Sequence, residues 1–356
     1  MKGWRGLLLG LIVTVASLWL ALRGNDLSKV GDSFAQGRYI YLIPGAFFIY
    51  LGLVLRAFRW RALLNDRLTT MHSFAIMNVG YMLNTILPLR LGEVARSFLT
   101  TRLTPPISMS TSLSSVVVER LTDLLAVVVL IALAIVIAPA SAAVPPEISR
   151  AAVITGVIGI LGMGVLGILA ARRTLAHSIL NFGLRLLPIL ERLHLRGFVD
   201  RVLDGAAALG SLRGAVAVFV WWGVSWATSI LAAYFLMAIF FEQPTWYASL
   251  LSIAVASFAV ALPALPGNVG PFEAAILVGM AAGGFNQDQF GEQSLAYAIV
   301  LHILNAFSYV SCGWFGLHYE KITLGELIQR TRQMASRERP KSEEQINQPE
   351  AESASS

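Results

Sequence analysis

Charged residues cluster at a proline break in the first third of the chain, in the stretch NTILPLRLGEVAR at 84–96. Arg90 and Arg96 flank this break, and a guanidinium offers a rigid fork of donors that suits a phosphodiester. A cation in apolar surroundings is costly and usually functional, so both arginines are predicted to hold an anionic group. The structural alternative is an internal salt bridge to Glu93 or Glu119 that fixes the turn, and both roles are compatible.

A second charged group follows at Glu119-Arg120-Leu-Thr-Asp123. Glu119 and Asp123 lie one helical turn apart, so they share a helix face. They are predicted to form a polar wall that pairs with Arg90 or with a lipid amine; an interfacial ion pair at a helix start is the alternative. The apolar stretch behind them, 124–138, covers about 22 Å as a helix. Because a bilayer core is about 30 Å thick, the charged turn should dip into the membrane.

A second break, LPALPGNVGPFE at 262–273, interrupts an apolar run with three prolines and two glycines. Neither residue type continues a helix, and in a membrane such a break must be buried in protein or line a wet cavity. The amides after Pro271 could receive a phosphate, while Glu273 could serve a proton, a cation or a headgroup amine. Alternatively, Asn268 and Glu273 only cap the new helix. His302, on the last apolar segment, is expected to make an interhelical hydrogen bond, and the alternative is that it lines a cavity together with Asn305.

The composition is that of a membrane protein, since 56% of residues are hydrophobic and only 13% are charged. Soluble domains are about a quarter charged. The net charge of +6 fits basic loops that flank membrane spans, so anionic lipid is a better partner than nucleic acid. The single cysteine, Cys312, excludes an internal disulfide, and the five histidines have no metal-ligand spacing. No cofactor or metal is expected.

The hydropathy pattern predicts ten apolar helical segments. They cover 7–22, 40–55, 74–87, 92–103, 108–138, 151–171, 216–241, 246–262, 274–283 and 295–317. Two adjoining pairs, at 74–103 and 246–283, are interrupted and too short to cross, so each pair is predicted to form a re-entrant hairpin. The expected fold is an all-α polytopic membrane protein with about six full transmembrane helices and two re-entrant helical hairpins.

Loop charges predict the orientation and the symmetry. Segment 172–213 carries seven arginines against three acids, which places it and both termini in the cytoplasm. One apolar face there predicts an interfacial amphipathic helix, with a cytosolic helical pair as the alternative. The halves, about 1–138 and 151–319, each make an odd number of crossings and form an inverted repeat. From 320 to 356 the composition predicts a disordered cytoplasmic tail.

Four motifs in order resemble those of a known family. They are RAFRWRALL at 56–64, NTILPLRLGEVAR at 84–96, SVVVERLTD at 115–123 and PGNVGPFE at 266–273. Over about residues 1–319 the chain is similar to the flippase-like membrane domain of lysylphosphatidylglycerol synthases, which includes stand-alone members. The resemblance implies movement of a lipid headgroup between leaflets. No soluble aminoacyl-transferase domain follows, so aminoacylation is not expected, and an aminoacylated phospholipid need not be the cargo.

The resemblance and the charge pattern together define a candidate headgroup site. It comprises Arg56, Arg59, Asn84, Arg90, Glu93, Arg96, Glu119, Arg120, Asp123, Asn268 and Glu273. The predicted function is a cell-membrane translocator of a phospholipid or polyprenyl-phosphate-linked lipid, without enzymatic activity. The alternatives are a membrane-embedded transferase acting on a lipid carrier and a small-solute secondary transporter. Membrane lipids are the expected partners, nucleic acid is not, and a homodimer is compatible with the pattern.

Overall fold

The computed structural model describes residues 3–87, 91–138, 146–186, 195–261 and 266–337, and these contain helices, turns and loops but no strand. The all-α prediction is confirmed for this part of the chain. The helices are α1 (Gly3–Leu22), α2 (Leu27–Ala35), α3 (Leu42–Leu63), α4 (Thr70–Ile86), α5 (Leu91–Thr100), α6 (Met109–Val136), α7 (Pro146–Ala171), α8 (Arg173–Leu186), α9 (Leu195–Gly205), α10 (Leu212–Phe240), α11 (Trp246–Ala261), α12 (Pro271–Ala282), α13 (Gln287–Tyr319) and α14 (Leu324–Arg337).

Three helices of the described ranges are long and apolar enough to cross a membrane alone: α3 with its preceding turn, α10 and α13. The α7–α8 pair, bent by 109°, is a fourth candidate. Helix α6 has 28 residues but carries Glu119, Arg120 and Asp123 near its middle, which interrupts its apolar run. The expected number of six crossings therefore stays a prediction.

Both broken segments fold back as helical hairpins. Helices α4 and α5 pack so closely that a Cβ built at Gly92 would lie 2.0 Å from the Gly80 carbonyl oxygen. Helices α11 and α12 make a similar approach, where a Cβ at Gly279 would lie 2.5 Å from the Ser252 Cα. Small residues permit such contacts between membrane helices. At 17 and 10 residues, α4 and α5 measure about 26 and 15 Å.

The first helix of each hairpin packs on a helix from the other half of the chain. Helix α4 packs on α13, whereas α11 packs on α6. Of the second arms, α5 contacts α6 in its own half, whereas α12 contacts both α13 and α1. Helices α3 and α10 pack against each other along their length, where a Cβ at Gly45 would lie 2.5 Å from the Leu236 side chain. The two breaks are thereby held between the halves.

Three regions outside the ten predicted apolar segments also contain helices. The polar loop at 23–39 contains the short helix α2, capped by Asp26. Segment 172–213 contains α8 and α9, and α9 packs on α6. A disordered tail was expected from residue 320, but α14 is helical, because Leu327 and its apolar neighbours pack against the α4–α5 hairpin. Residues 338–356 lie outside the described ranges.

Candidate functional site

A buried ion-pair core joins α3, α5 and α6. Arg59 donates from Nη1 to Asp123 Oδ1 at 2.7 Å and lies 3.2 Å from Glu119 Oε1 through Nη2. Arg96 donates from Nη2 to Glu119 Oε2 at 2.8 Å. Glu119 and Asp123 lie one turn apart on α6, so Arg59, a partner that was not predicted for them, can contact both carboxylates. The three helices are thereby joined at the Glu119 carboxylate, which contacts Arg59 of α3 and Arg96 of α5.

This core is sealed from solvent. Arg59 and Arg96 are each 2% exposed, and Glu119 is 3% exposed. Buried charges of this kind persist only when they are paired and hydrogen-bonded. The Arg96 guanidinium also stacks 4.2 Å from the Trp60 ring centroid, a cation–π contact. Of the two compatible roles expected for Arg96, the structure shows the internal salt bridge to Glu119, and the binding of an anionic ligand stays a prediction.

A more exposed pair lies at the rim of the core. Arg120 donates from Nη2 to Glu93 Oε1 at 2.7 Å, and its Nη1 lies 3.9 Å from Asp123 Oδ2. The Arg120 and Glu93 side chains are 38% and 25% exposed. This pair links α5 to α6, and an ion pair that water can reach contributes little to stability.

Arg56 differs from its charged neighbours. It lies one turn before Arg59 on α3 and donates from Nη2 to Ser229 Oγ on α10 at 3.1 Å. No carboxylate of the described ranges lies within 4.0 Å of it. Tyr81 and Tyr309, whose rings are 5.3 Å apart, also lie near its guanidinium.

The cluster contains one more arginine than it contains carboxylates. Four arginines (Arg56, Arg59, Arg96 and Arg120) face three carboxylates (Glu93, Glu119 and Asp123), which gives a net charge of 4 − 3 = +1. Since the other three arginines each contact a carboxylate, the surplus charge belongs to Arg56. The guanidinium is half-buried among hydroxyl groups, and this is the position in the cluster where an added anion would find an unmatched cation.

The side chain of Asn84 is hydrogen-bonded to the start of α5. Its Oδ1 accepts a hydrogen bond from the Gly92 backbone N–H at 2.9 Å, which satisfies one of the free amides of the first helical turn. Asn84 thus links the C-terminal part of α4 to the first turn of α5. Arg90, the residue expected at the tip of this break, lies outside the described residues.

The second break is organised around Glu273. Its Oε2 accepts a hydrogen bond from the Gly270 N–H at 2.7 Å, which is the capping role considered from the sequence. Its Oε1 lies 2.5 Å from His302 Nδ1 on α13, and His302 Nε2 lies 2.8 Å from the Gly267 carbonyl oxygen. Asn268 has a positive φ of 55° and is half-buried at the same turn.

The two breaks are neighbours. The short helical turn Pro266–Asn268 packs against α4. A Cβ built at Gly267 would lie 3.5 Å from the carbonyl oxygen of Thr85, close to the end of α4. Ten of the eleven candidate residues are described: Asn84 lies on α4, Asn268 and Glu273 lie at the second break, and the other seven form a charged cluster on α3, α5 and α6.

Several contributors to the site were absent from the candidate list. His302 was expected to make an interhelical hydrogen bond or to line a cavity, and it makes two polar contacts across the second break. Trp60, Tyr81 and Ser229 were not singled out. A signal for Trp60 exists in the sequence, because it directly follows Arg59, but a single serine or tyrosine in an apolar helix is too common to stand out.

Apolar spans with a charged cluster between them define a polytopic membrane protein of the all-helical class. The family described as lysylphosphatidylglycerol synthase TM region matches residues 7–313, and the chain belongs to that family. This confirms the resemblance found in the four motifs and associates the protein with lipid handling at a membrane. No curated protein and no solved structure matches the chain significantly.

Proposed function

We propose that this protein moves a lipid with an anionic headgroup between the two leaflets of the cell membrane. The observation that carries the proposal is Arg56, a half-buried cation with a hydroxyl partner and no carboxylate in the described cluster. A cation in a span is costly unless it pairs, and a passing phosphodiester would supply the missing partner. With a surplus of one positive charge, the cluster fits a monoanionic headgroup.

The ion-pair core would act as the frame of this path. Arg59, Arg96 and Glu119 already neutralise one another, so a ligand would have to break buried pairs to reach them. Arg56 can be reached without that cost. Arg90, at the expected tip of the first break, would extend the cationic path, and Glu273 and Asn268 would line its other side.

The exchanged packing of the hairpins supports the inverted repeat. In the proposed arrangement, α1, α3, α6, α7, α10 and α13 cross the membrane, and the two hairpins enter from opposite faces. Both termini and the arginine-rich segment 172–213 would lie in the cytoplasm. The α3–α10 contact would be the seam between two halves that rock around the headgroup. Lipids are the proposed partners, and neither a cofactor nor a chemical transformation of the lipid is part of the proposal.

A leaflet-exposure assay on purified protein in liposomes tests this function. The vesicles carry labelled phosphatidylglycerol, an aminoacylated lipid or a polyprenyl phosphate in turn. Wild type is expected to move at least one of them, and Arg56→Gln, which keeps the hydrogen bond to Ser229 possible but removes the charge, is expected to reduce that rate at least about tenfold. Arg61→Gln is the matched control, because Arg61 lies on the same helix and pairs with Asp66 at the surface.

The outcomes separate the alternatives. Equal rates for Arg56→Gln and wild type would remove the anion-binding role of Arg56. No movement of any of the three lipids by folded wild type would contradict translocation. The transferase hypothesis would then be tested by incubating the same lipids with donor substrates, and the solute hypothesis by uptake of small ions into the vesicles.

A further inference from the structure

The second break holds an imidazole between two oxygen acceptors. His302 projects from α13 with Nδ1 toward Glu273 Oε1 at 2.5 Å and Nε2 toward the Gly267 carbonyl oxygen at 2.8 Å. The other carboxylate oxygen, Oε2, is held by the Gly270 N–H at 2.7 Å. The His302 and Glu273 side chains are 13% and 10% exposed.

These contacts determine how many protons the pair must hold. A peptide carbonyl only accepts hydrogen bonds, so His302 Nε2 carries a hydrogen. The Nδ1–Oε1 contact needs a hydrogen as well, because a bare nitrogen lone pair would face a carboxylate lone pair. The pair therefore holds one proton more than a neutral imidazole beside an ionised carboxylate, whether it is written as an imidazolium–carboxylate pair or as an imidazole beside a carboxylic acid.

Loss of that proton must break one of the two contacts. A neutral imidazole has one N–H, so it can donate to Glu273 or to Gly267 but not to both. If it keeps the Gly267 bond, Nδ1 repels Glu273; if it turns to Glu273, the Gly267 carbonyl loses its donor. The net charge of the pair changes from 0 to −1 in the same step.

Few other charges surround the pair. Helix α1 over residues 10–22, α4 over 73–86 and α11 over 246–261 contain no Asp, Glu, Lys, Arg or His. The titratable groups within these ranges are Tyr81 of α4 and Tyr247 of α11, whereas α13 itself carries Tyr297, Tyr309 and Cys312 and, nearer its ends, Asp288, Glu292, His318 and Tyr319. Glu292 is ten residues from His302, or about 15 Å along the helix. Helices α2, α3 and α10 also pack on α13, and Arg56 of α3 lies near Tyr309, seven residues from His302. Within the described residues, Glu273 and His302 have no ion-pair partner other than each other.

The backbone that His302 holds is the backbone of the break. Gly267 and Gly270 have φ values of 78° and 94°, which suit glycine and not a helix. A Cβ at Gly270 would lie 2.7 Å from the Thr14 carbonyl oxygen of α1, and one at Gly267 would lie 3.5 Å from Thr85 of α4. A change in the contacts of His302 with 267–270 would therefore also affect the packing of this turn on α1 and on the C-terminal end of α4.

We propose that Glu273 and His302 form a proton-binding site whose occupancy sets the conformation of the second break, and that this proton is coupled to headgroup movement. The coupling rests on the proposed function, whereas the proton site itself does not. With the proton bound, His302 of α13 contacts both the Gly267 carbonyl oxygen and Glu273 of α12, whose other carboxylate oxygen accepts from Gly270. With the proton released, one contact opens and a negative charge appears beside the path of an anionic headgroup, which would drive the headgroup away.

Nuclear magnetic resonance of the full chain tests the site without any transport. The protein is labelled with ¹⁵N at its five histidines, purified in detergent, and His302 is assigned with His302→Gln. Wild type is expected to show a hydrogen on Nε2 and a strongly deshielded hydrogen in the Nδ1–Oε1 bond. Glu273→Gln is expected to remove the second signal only, because a glutamine amide donates to a bare Nδ1. A wild-type Nδ1 without a hydrogen-bonded proton at every pH between about 5 and 8 would overturn the site.

Liposomes with an imposed pH gradient test the coupling. If one proton moves with each lipid, the final leaflet ratio of the labelled lipid should shift about tenfold for each unit of pH difference. His302→Gln is expected to abolish this shift. His318→Gln is the matched control, because His318 lies exposed on the same helix, and it should retain the shift.

The two experiments keep the proposals apart. Lipid movement by wild type with a final ratio that ignores the pH gradient would overturn the coupling and leave the proposed function standing. Absence of lipid movement by wild type would overturn both the function and the coupling, while the resonance of His302 would still decide whether the proton site exists.

Discussion

Each of the two breaks separates the two short helices of a hairpin, but the breaks differ in their electrostatics. At the first break, Arg59, Arg96 and Glu119 form a sealed core with fixed partners. At the second break, one carboxylate and one imidazole share a proton between α12 and α13. Guanidinium groups stay charged at any physiological pH, whereas an imidazole can change its charge there. The first break therefore offers a permanent positive field, and the second offers a switch.

This difference has a consequence for stability. Removing one member of a buried ion pair leaves an uncompensated charge and costs far more than the pair itself contributes. A carboxylate whose partner can lose its proton leaves no such charge behind. The first break should thus tolerate substitution poorly as a matter of folding, while the second should tolerate it but change its response to pH.

The largest expected effect is at Glu119, and it contrasts the breaks directly. Glu119→Gln leaves Arg96 buried without a carboxylate, so we expect a loss of about 3–5 kcal/mol of unfolding free energy. Glu273→Gln, whose amide can still accept from Gly270 and donate to a neutral His302, should cost about 1 kcal/mol. Unfolding of both variants in mixed detergent measures the difference. Equal losses would show that the two breaks do not differ as described.

A middle-sized effect is expected from the close approach of α4 and α5. In Gly80→Ala the new Cβ would lie 2.5 Å from the Arg96 side chain and 3.0 Å from the Gly92 carbonyl oxygen. Displacing Arg96 from Glu119 should cost about 1–3 kcal/mol. Gly162→Ala is the control, since a Cβ there meets nothing within 4 Å on α7, and it should stabilise the helix by up to about 1 kcal/mol. A neutral Gly80→Ala would mean that the core can shift without loss.

The smallest effect is expected at the rim of the first break. Glu93→Gln removes the main partner of Arg120, but the pair is partly exposed, so the loss should be below about 1 kcal/mol. Raising the salt concentration should shrink it further because exposed pairs are screened. Thermal unfolding at low and high salt measures both. A loss as large as that of Glu119→Gln would place the rim pair within the sealed core.

Much of the helix pattern could be predicted from composition and hydropathy. The long helix expected at 108–138 is α6, Met109–Val136, with Ser108 as its N-cap. The break expected at 262–273 separates α11 from α12. Proline and glycine act locally, so their effect on a helix can be read without knowing the fold. The helix at Leu324–Arg337 was not predicted, because most of its residues are polar. Its few apolar residues pack on α5.

The pairing of charges could not be predicted in the same way. The sequence was compatible with Arg96 binding a ligand, Glu93 or Glu119, and only the packing of α5 on α6 shows its guanidinium against Glu119. It assigned no partner to Arg59, which contacts two carboxylates. For Arg56, the absence of a carboxylate among the described residues is visible only once the other three arginines have their partners.

By itself, the amino-acid sequence determined the class of this protein, the positions of its two breaks and the residue types gathered there, because hydropathy and helix breaking depend on residues close together in the chain. Only the tertiary structure decided which side chains meet. Arg59 and Asp123 are 64 residues apart, and Glu273 and His302 are 29 apart. Contacts over such separations depend on how the helices cross. A partial rotation of one helix about its axis would bring a different face, and therefore different side chains, to its neighbour.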